Sequence, residues 1–238
     1  MNRDELKYYT IASRLFTEFN SDAIINKLET LVEESPLYVI KEKIKQKTTH
    51  IDYSLPANLK GAIIDFEGHP IFLVGIMITD KILTFYIKNY THIERFYFLI
   101  LKVMSILKEL SLFSFSDYEK EALLKIYTYL EMQGFDLTDY NFIKDLTIVN
   151  LQENKYEALT EAIYSIIPAD DSIITTGDTL FRNLKLIPKL FSAEKMEILI
   201  EHNRNCLSNE TVILLKRWLK YYQMAITNKN GDRYGEKN

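Results

Sequence analysis

Apolar side chains recur at helical spacing through residues 3–35 (Leu6, Tyr9, Ile11, Leu15, Phe16, then Ile24, Ile25, Leu28, Leu31). Asn20-Ser21-Asp22 breaks and caps this pattern, so two helices are predicted. The stretch from Tyr38 to Leu55 holds a lysine-rich run at 41–47 and ends before Pro56. It reads as strand or linker, with the lysines as a solvated face in preference to a nucleic-acid contact. From Gly61 the pattern shortens to apolar runs over 62–67, 71–79 and 82–87, bounded by Gly, Pro or Asp-Lys. Three strands in an antiparallel meander are predicted. Thr91-His92-Ile93-Glu94 reads as a capping box opening a helix to Leu110, and Leu112 to Phe115 as a fourth, buried strand. A second box, Ser116-Asp117-Tyr118-Glu119, opens a helix to Gln133. Residues 145–151 predict another strand. Helices follow near 153–166, 178–190, 192–203 and 208–226, before a polar, frayed tail.

Composition narrows the class. With 47% apolar and 26% charged residues, 7 Gly and 5 Pro, the chain is built to bury a core. Its 238 residues suit one α/β core with an extension. The single cysteine, Cys206, excludes an internal disulfide and a Cys-x-x-Cys zinc site, which points to a reducing compartment. Met1-Asn2-Arg3-Asp4-Glu5 places acids where a secretory leader would be apolar, and no run approaches ~18 uncharged apolar residues. A cytoplasmic protein without membrane contact is expected. The formal charge of −4 argues against adhesion to nucleic acid over the whole surface but leaves room for a local basic groove.

Candidate chemistry centres on carboxylates. A strand sends residues i and i+2 to one face, so Asp65 and Glu67 project together while Phe66 enters the opposite layer. Two acids on one face suit a divalent cation, and two-metal phosphodiester hydrolysis needs several such hard oxygen ligands. The same spacing recurs at Asp117/Glu119 and Glu119/Glu121, and a strand end that meets water would explain the pair equally well.

The order of these features carries a resemblance. Asp65-Phe66-Glu67-Gly68-His69-Pro70, followed by Ile71-Phe72-Leu73-Val74-Gly75-Ile76, resembles the opening motif of YprB-like domains, the ribonuclease H-like domains associated with RecB-like and Cas4-like nucleases. Phe113-Ser114-Phe115-Ser116-Asp117-Tyr118-Glu119 is similar to that family's strand-turn-helix segment bearing the second acidic motif. These domains belong to the DEDD exonuclease superfamily. The resemblance implies an α/β fold with a ribonuclease H-like mixed β-sheet flanked by helices over residues 56–226. An N-terminal helical extension and linker (1–55) would precede it and a polar tail (227–238) would follow. It also implies Mg²⁺ or Mn²⁺ as cofactor, with Asp65, Glu67 and Glu119 as ligands. Glu119 is equally the residue that a capping box wants, whereas Asp117 suits the helix dipole and His69 the turn.

The family's third motif reads Tyr-Asn-x-x-Asp-Cys before a helix ending in Trp-Leu. The chain offers Glu201-His202-Asn203-Arg204-Asn205-Cys206 and Arg217-Trp218-Leu219. With the cysteines matched, Asn205 or a neighbour stands at the aspartate, as a neutral metal ligand. Glu201 or Glu210 would be the substitute acid that helical pitch could bring to the sheet. His202 stands in place of the tyrosine, as a catalytic group that orients or deprotonates water; a histidine near a helix end also serves the dipole alone. The expected function is a metal-dependent 3′–5′ exonuclease on DNA, single-stranded or end-containing, with a possible protein partner in DNA processing. Its alternative is a degenerate domain that binds nucleic acid or protein. Tyr127, Tyr129, Tyr221 and Tyr222 are candidates for base stacking or for core packing. No Gly-rich phosphate loop, Gly-x-Ser-x-Gly elbow, His-Glu-x-x-His or arginine-clustered recognition helix is present.

Overall fold

The apolar runs after Gly61 form the centre of a six-stranded mixed sheet in the computed structural model, which describes residues 19–31, 38–43, 46–47, 50–51, 54–57, 59–166 and 178–218. In chain order the elements begin with helix α1 (Ser21–Thr30), strand β1 (Tyr38–Lys43) and a short antiparallel ribbon, β2 (Gln46–Lys47) with β3 (His50–Ile51). The meander follows as β4 (Gly61–Glu67), β5 (Leu73–Ile78) and β6 (Lys81–Tyr86). Helix α2 (Ile93–Leu107) then leads to β7 (Ser111–Ser114), and α3 (Tyr118–Met132) to β8 (Ile148–Asn150). Helices α4 (Leu159–Ile166), α5 (Ile187–Ser192) and α6 (Met196–Ile213) complete the chain. The first of the two predicted N-terminal helices, the side chains of the lysine run, Tyr221, Tyr222 and the tail lie outside the described residues.

The sheet order is β1-β6-β5-β4-β7-β8. Strand β4 is central, antiparallel to β5 with Asp65 opposite Gly75, and parallel to β7 on its other side. Two helical crossovers account for the parallel half, because a parallel partner cannot be reached by a tight turn. Residues 38–43 add the edge strand beside β6.

Alternation along β4 separates two cores. Ala62, Ile64 and Phe66 join the cluster built with α1, α2 and α3, whereas Ile63 joins a second cluster with Phe113, Ile163, Leu207 and Ile213 from β7, α4 and α6. Asp65 and Glu67 share the parity of Ile63, so they face α6. Burial of this strand on both faces is why it reads as a near-continuous apolar run interrupted only by those acids. Tyr127 and Tyr129 serve packing, the first bonded to Asn141 at 2.7 Å and the second edge-on to Tyr97.

The structure corrects several sequence expectations, among them the helix near 178–190, which is two 3₁₀ turns, Thr179–Arg182 and Leu184–Leu186, before the short α5. The Thr91 box does not form; Asn89 Oδ1 accepts from the Thr91 amide and caps a 3₁₀ turn that leads into α2. The break expected between 203 and 208 is absent, since α6 runs unbroken from Met196 to Ile213. Asn203, Ser208, Asn209, Glu210 and Thr211 interrupt the apolar period, yet all are buried. Consecutive residues 208–211 point around most of the helix circumference, so α6 is enclosed on several sides, unlike a surface helix with one apolar stripe.

Helix α6 approaches β5 closely at Gly75, where an added Cβ would lie 1.9 Å from Asn203 Oδ1 and 2.9 Å from a Leu207 methyl. Gly75→Ala is therefore expected to destabilise the fold by about 1–3 kcal/mol through overpacking. Thermal melting should show a fall of roughly 2–12 °C for a chain of this length; an unchanged melting temperature would contradict the packing described.

Candidate metal centre

The end of β4, the start of α3 and the middle of α6 bring four carboxylates together at one cleft. Asp65 is 8% exposed, Glu67 6%, Glu119 4% and Glu210 1%. Asp65 is held by Asn203, whose Nδ2 donates to its Oδ2 at 2.7 Å and to its backbone oxygen at 3.2 Å. Burial pushes the Asp65 carboxyl up to about 7, against the opposing pull of His202 and hydrogen bonds from Asn203 and Cys206. Glu119 is pushed up to about 8, by burial first and then by the charge of Asp65. Glu67 and Glu210 are both raised well above the usual range, again by burial first and then by neighbouring carboxylates, with Asp65 the largest of these.

The placement of Glu119 decides between ligand and cap. Ser116 Oγ accepts from the Tyr118 amide at 3.1 Å rather than from that of Glu119, and the Glu119 side chain turns inward to the cleft. Its Oε2 is buried and has no hydrogen-bond partner among the described residues; the same holds for Glu210 Oε2. Unpartnered buried carboxylate oxygens are costly unless protonated or bound to a cation. This orphaned pair is the observation that fits a divalent ion to the residues present.

On α6, His202, Cys206 and Glu210 recur every fourth residue and so share one helical face. His202 Nδ1 lies 2.8 Å from Asp178 Oδ2, and its Nε2 lies 3.6 Å from Glu67 Oε1 and 3.9 Å from Cys206 Sγ. Asp178 caps the 3₁₀ turn Thr179–Arg182 through the Leu180 amide at 2.9 Å. Burial alone would raise the Asp178 carboxyl, but hydrogen bonds from His202, Asn205 and Leu180 hold it below the usual range.

Asn205 is not where the cysteine match placed it. Its Nδ2 donates to Asp178 Oδ2 at 3.1 Å, and the amide at Asp65 belongs to Asn203. Residues two apart on a helix diverge by roughly 200°, so 203 and 205 cannot both face β4. Glu201 pairs with Arg204 at 3.8 Å with its side chain about half exposed, which leaves Glu210 as the acid that the helix delivers. Asp117 and His69 are exposed, at a helix start and a turn, outside the cluster.

Three contributors escaped sequence reasoning: Asn203, Cys206 and Asp178. The four-residue spacing of His202, Cys206 and Glu210 is a signal that could have found Cys206. Asp178 stands at the start of the helix predicted near 178–190, and only the fold brings it to His202.

The cleft has a volume of ≈ 470 Å³ and is lined by the four carboxylates, His202 and Cys206, with apolar walls that include Phe115, Phe181 and Leu184. No Lys or Arg is among its described lining residues. No helix among the described residues is long and apolar enough to cross a membrane. Comparison of the chain with protein-family models, with curated proteins and with solved structures returns no match.

Proposed function

We propose that this chain is a divalent-metal-dependent phosphodiesterase with a ribonuclease H-like fold, acting as a 3′–5′ exonuclease on DNA. The observation that carries this reading is the convergence of Asp65, Glu67, Glu119 and Glu210 on one cleft, buried and with two orphaned oxygens. Four carboxyls so enclosed either hold protons or give them up to a cation. The sheet supports the same reading, because an antiparallel meander with its first strand central, followed by two strands parallel to that strand, is the arrangement a ribonuclease H-like core would have.

The third motif reads more simply when matched on the histidine. With His202 in place of tyrosine and Asn203 in place of asparagine, the aspartate falls at Cys206, and Glu210 one turn further supplies the missing charge. Asp65, Glu119, Glu210 and Glu67 would hold Mg²⁺ or Mn²⁺. Such an ion, when bound, polarises a phosphoryl oxygen and lowers the pKa of a ligated water. Asn203 keeps the Asp65 carboxylate aimed, and Asp178 holds His202 so that Nε2 faces the cleft as a proton acceptor.

A second reading is a degenerate domain that binds nucleic acid or protein; the absence of Lys and Arg from the described lining favours its protein-binding form, because phosphate contacts draw on such cations. End-labelled single-stranded DNA, single-stranded RNA and duplex ends, each with Mn²⁺ or Mg²⁺, separate the two. Shortening of DNA from its 3′ end, lost in Glu119→Gln, is expected. Cation binding with no cleavage of any substrate would favour the binding module.

A further inference from the structure

The geometry points to a second, softer cation position inside this cleft: Glu67, His202 and Cys206 form a three-ligand site for a zinc-class ion. Carboxylate Oε, imidazole Nε2 and thiol Sγ all lie within 4.8 Å of one another. A tetrahedral ion with metal–nitrogen and metal–oxygen distances near 2.0 Å and metal–sulfur near 2.3 Å sets such atoms roughly 3.3–3.6 Å apart. The separations from His202 Nε2, 3.6 Å to Glu67 and 3.9 Å to Cys206, need only a few tenths of an ångström of contraction, whereas Glu67 and Cys206, within 4.8 Å of each other, close on the ion by side-chain rotation. At 3.6 Å the imidazole and carboxylate are also too far apart for a direct hydrogen bond.

The layer behind the ligands supports the assignment. A metal-bound histidine usually donates its other N–H to a carboxylate, which sets the tautomer and aims the free nitrogen. Asp178 stands in that position at 2.8 Å from Nδ1, itself fixed by Asn205 and the Leu180 amide. Cys206 and His202, four residues apart on α6, present both donor atoms on the same helical face as Glu210. All three ligands line the cleft, so the fourth position opens toward it, as in zinc sites that keep a place for water or substrate.

Ligand type selects the ion. Mg²⁺ takes oxygen ligands and is not held by thiolate or imidazole, whereas Zn²⁺ and Co²⁺ accept this mixed set. Asp65, Glu119 and Glu210 remain as the oxygen-only position beside it. A zinc-class ion at the softer position engages His202 Nε2 and withdraws Glu67 from the harder one, so it inhibits Mg²⁺- or Mn²⁺-dependent cleavage. That inhibitory consequence rests on the nuclease reading; the ion binding does not.

Co²⁺ titrated into the full chain under reducing conditions tests the binding directly. One equivalent should produce a thiolate-to-cobalt charge-transfer band in the near ultraviolet and the intense visible bands of four-coordinate cobalt, both displaced by Zn²⁺. Cys206→Ser should lose the charge-transfer band. Asp178→Asn, which alters no ligand, should weaken Co²⁺ binding by about 10–100-fold. A pale, six-coordinate spectrum without a thiolate band in the unaltered protein overturns the assignment, whether or not the variants fold. The nuclease reading is judged separately, by cleavage with Mn²⁺.

Discussion

Asp65→Asn is expected to abolish metal-dependent cleavage and, in the same protein, to raise the melting temperature of the metal-free state. The first effect follows from position. Asp65 is the largest carboxylate influence on Glu67, Glu119 and Glu210, so it stands at the electrostatic centre of the cluster. Losing the cation's stabilisation of transition-state charge removes several kcal/mol, and at 1.36 kcal/mol per tenfold the rate should fall by about 10³-fold or more. The second effect has the opposite sign. An amide keeps the volume and can still accept from Asn203, while removing one buried ionisable group from among three others. A gain of roughly 1–2 kcal/mol, or about 2–8 °C at this chain length, is expected. Kinetics and melting of the one variant check both. Loss of activity together with loss of stability would mean that Asp65 is structural.

Raising the pH should weaken the metal-free protein. Folding carries Asp65 up to about 7 and Glu119 up to about 8, from ordinary values of 3.8 and 4.5. A carboxyl raised on folding contributes stability that is complete below its unfolded pKa and is lost as pH climbs through the folded one. Stability should thus decline from about pH 4 to about pH 8, by on the order of 4 kcal/mol for Asp65 taken alone at 1.36 kcal/mol per unit. A saturating divalent cation should reverse the trend, because it binds only the deprotonated cluster; at a hundred times its Kd it would restore about 2.7 kcal/mol. Melting at pH 5, 6.5 and 8, with and without Mn²⁺, reads this out. A metal-free protein that becomes more stable toward pH 8 would contradict the arrangement of carboxylates.

The central strand was legible because period-two alternation and burial on both faces leave few other readings of Ala62-Ile63-Ile64-Asp65-Phe66-Glu67, and the same parity placed both acids on one face. The third motif was not. Asn203, Ser208, Asn209 and Glu210 look like a break when apolar period is the guide, but here they are buried in the packing of α6. Matching the cysteines instead of the histidine shifted the register by one residue and directed attention to Asn205, which the helix turns toward Asp178. Local chemistry was likewise ambiguous at Glu119, since a capping-box glutamate and a site glutamate occupy the same position in sequence. Only the packing of α3 against β4 distinguishes them.

The most direct test is calorimetric titration of Mn²⁺ into the unaltered protein near pH 7, repeated in two buffers of different ionisation enthalpy. Binding should displace protons from the raised carboxyls, so the observed heats should differ between buffers, and Asp65→Asn should bind at least ~10-fold more weakly. Absence of binding at millimolar Mn²⁺, or equal affinity in Asp65→Asn, would contradict a metal centre built on these four carboxylates.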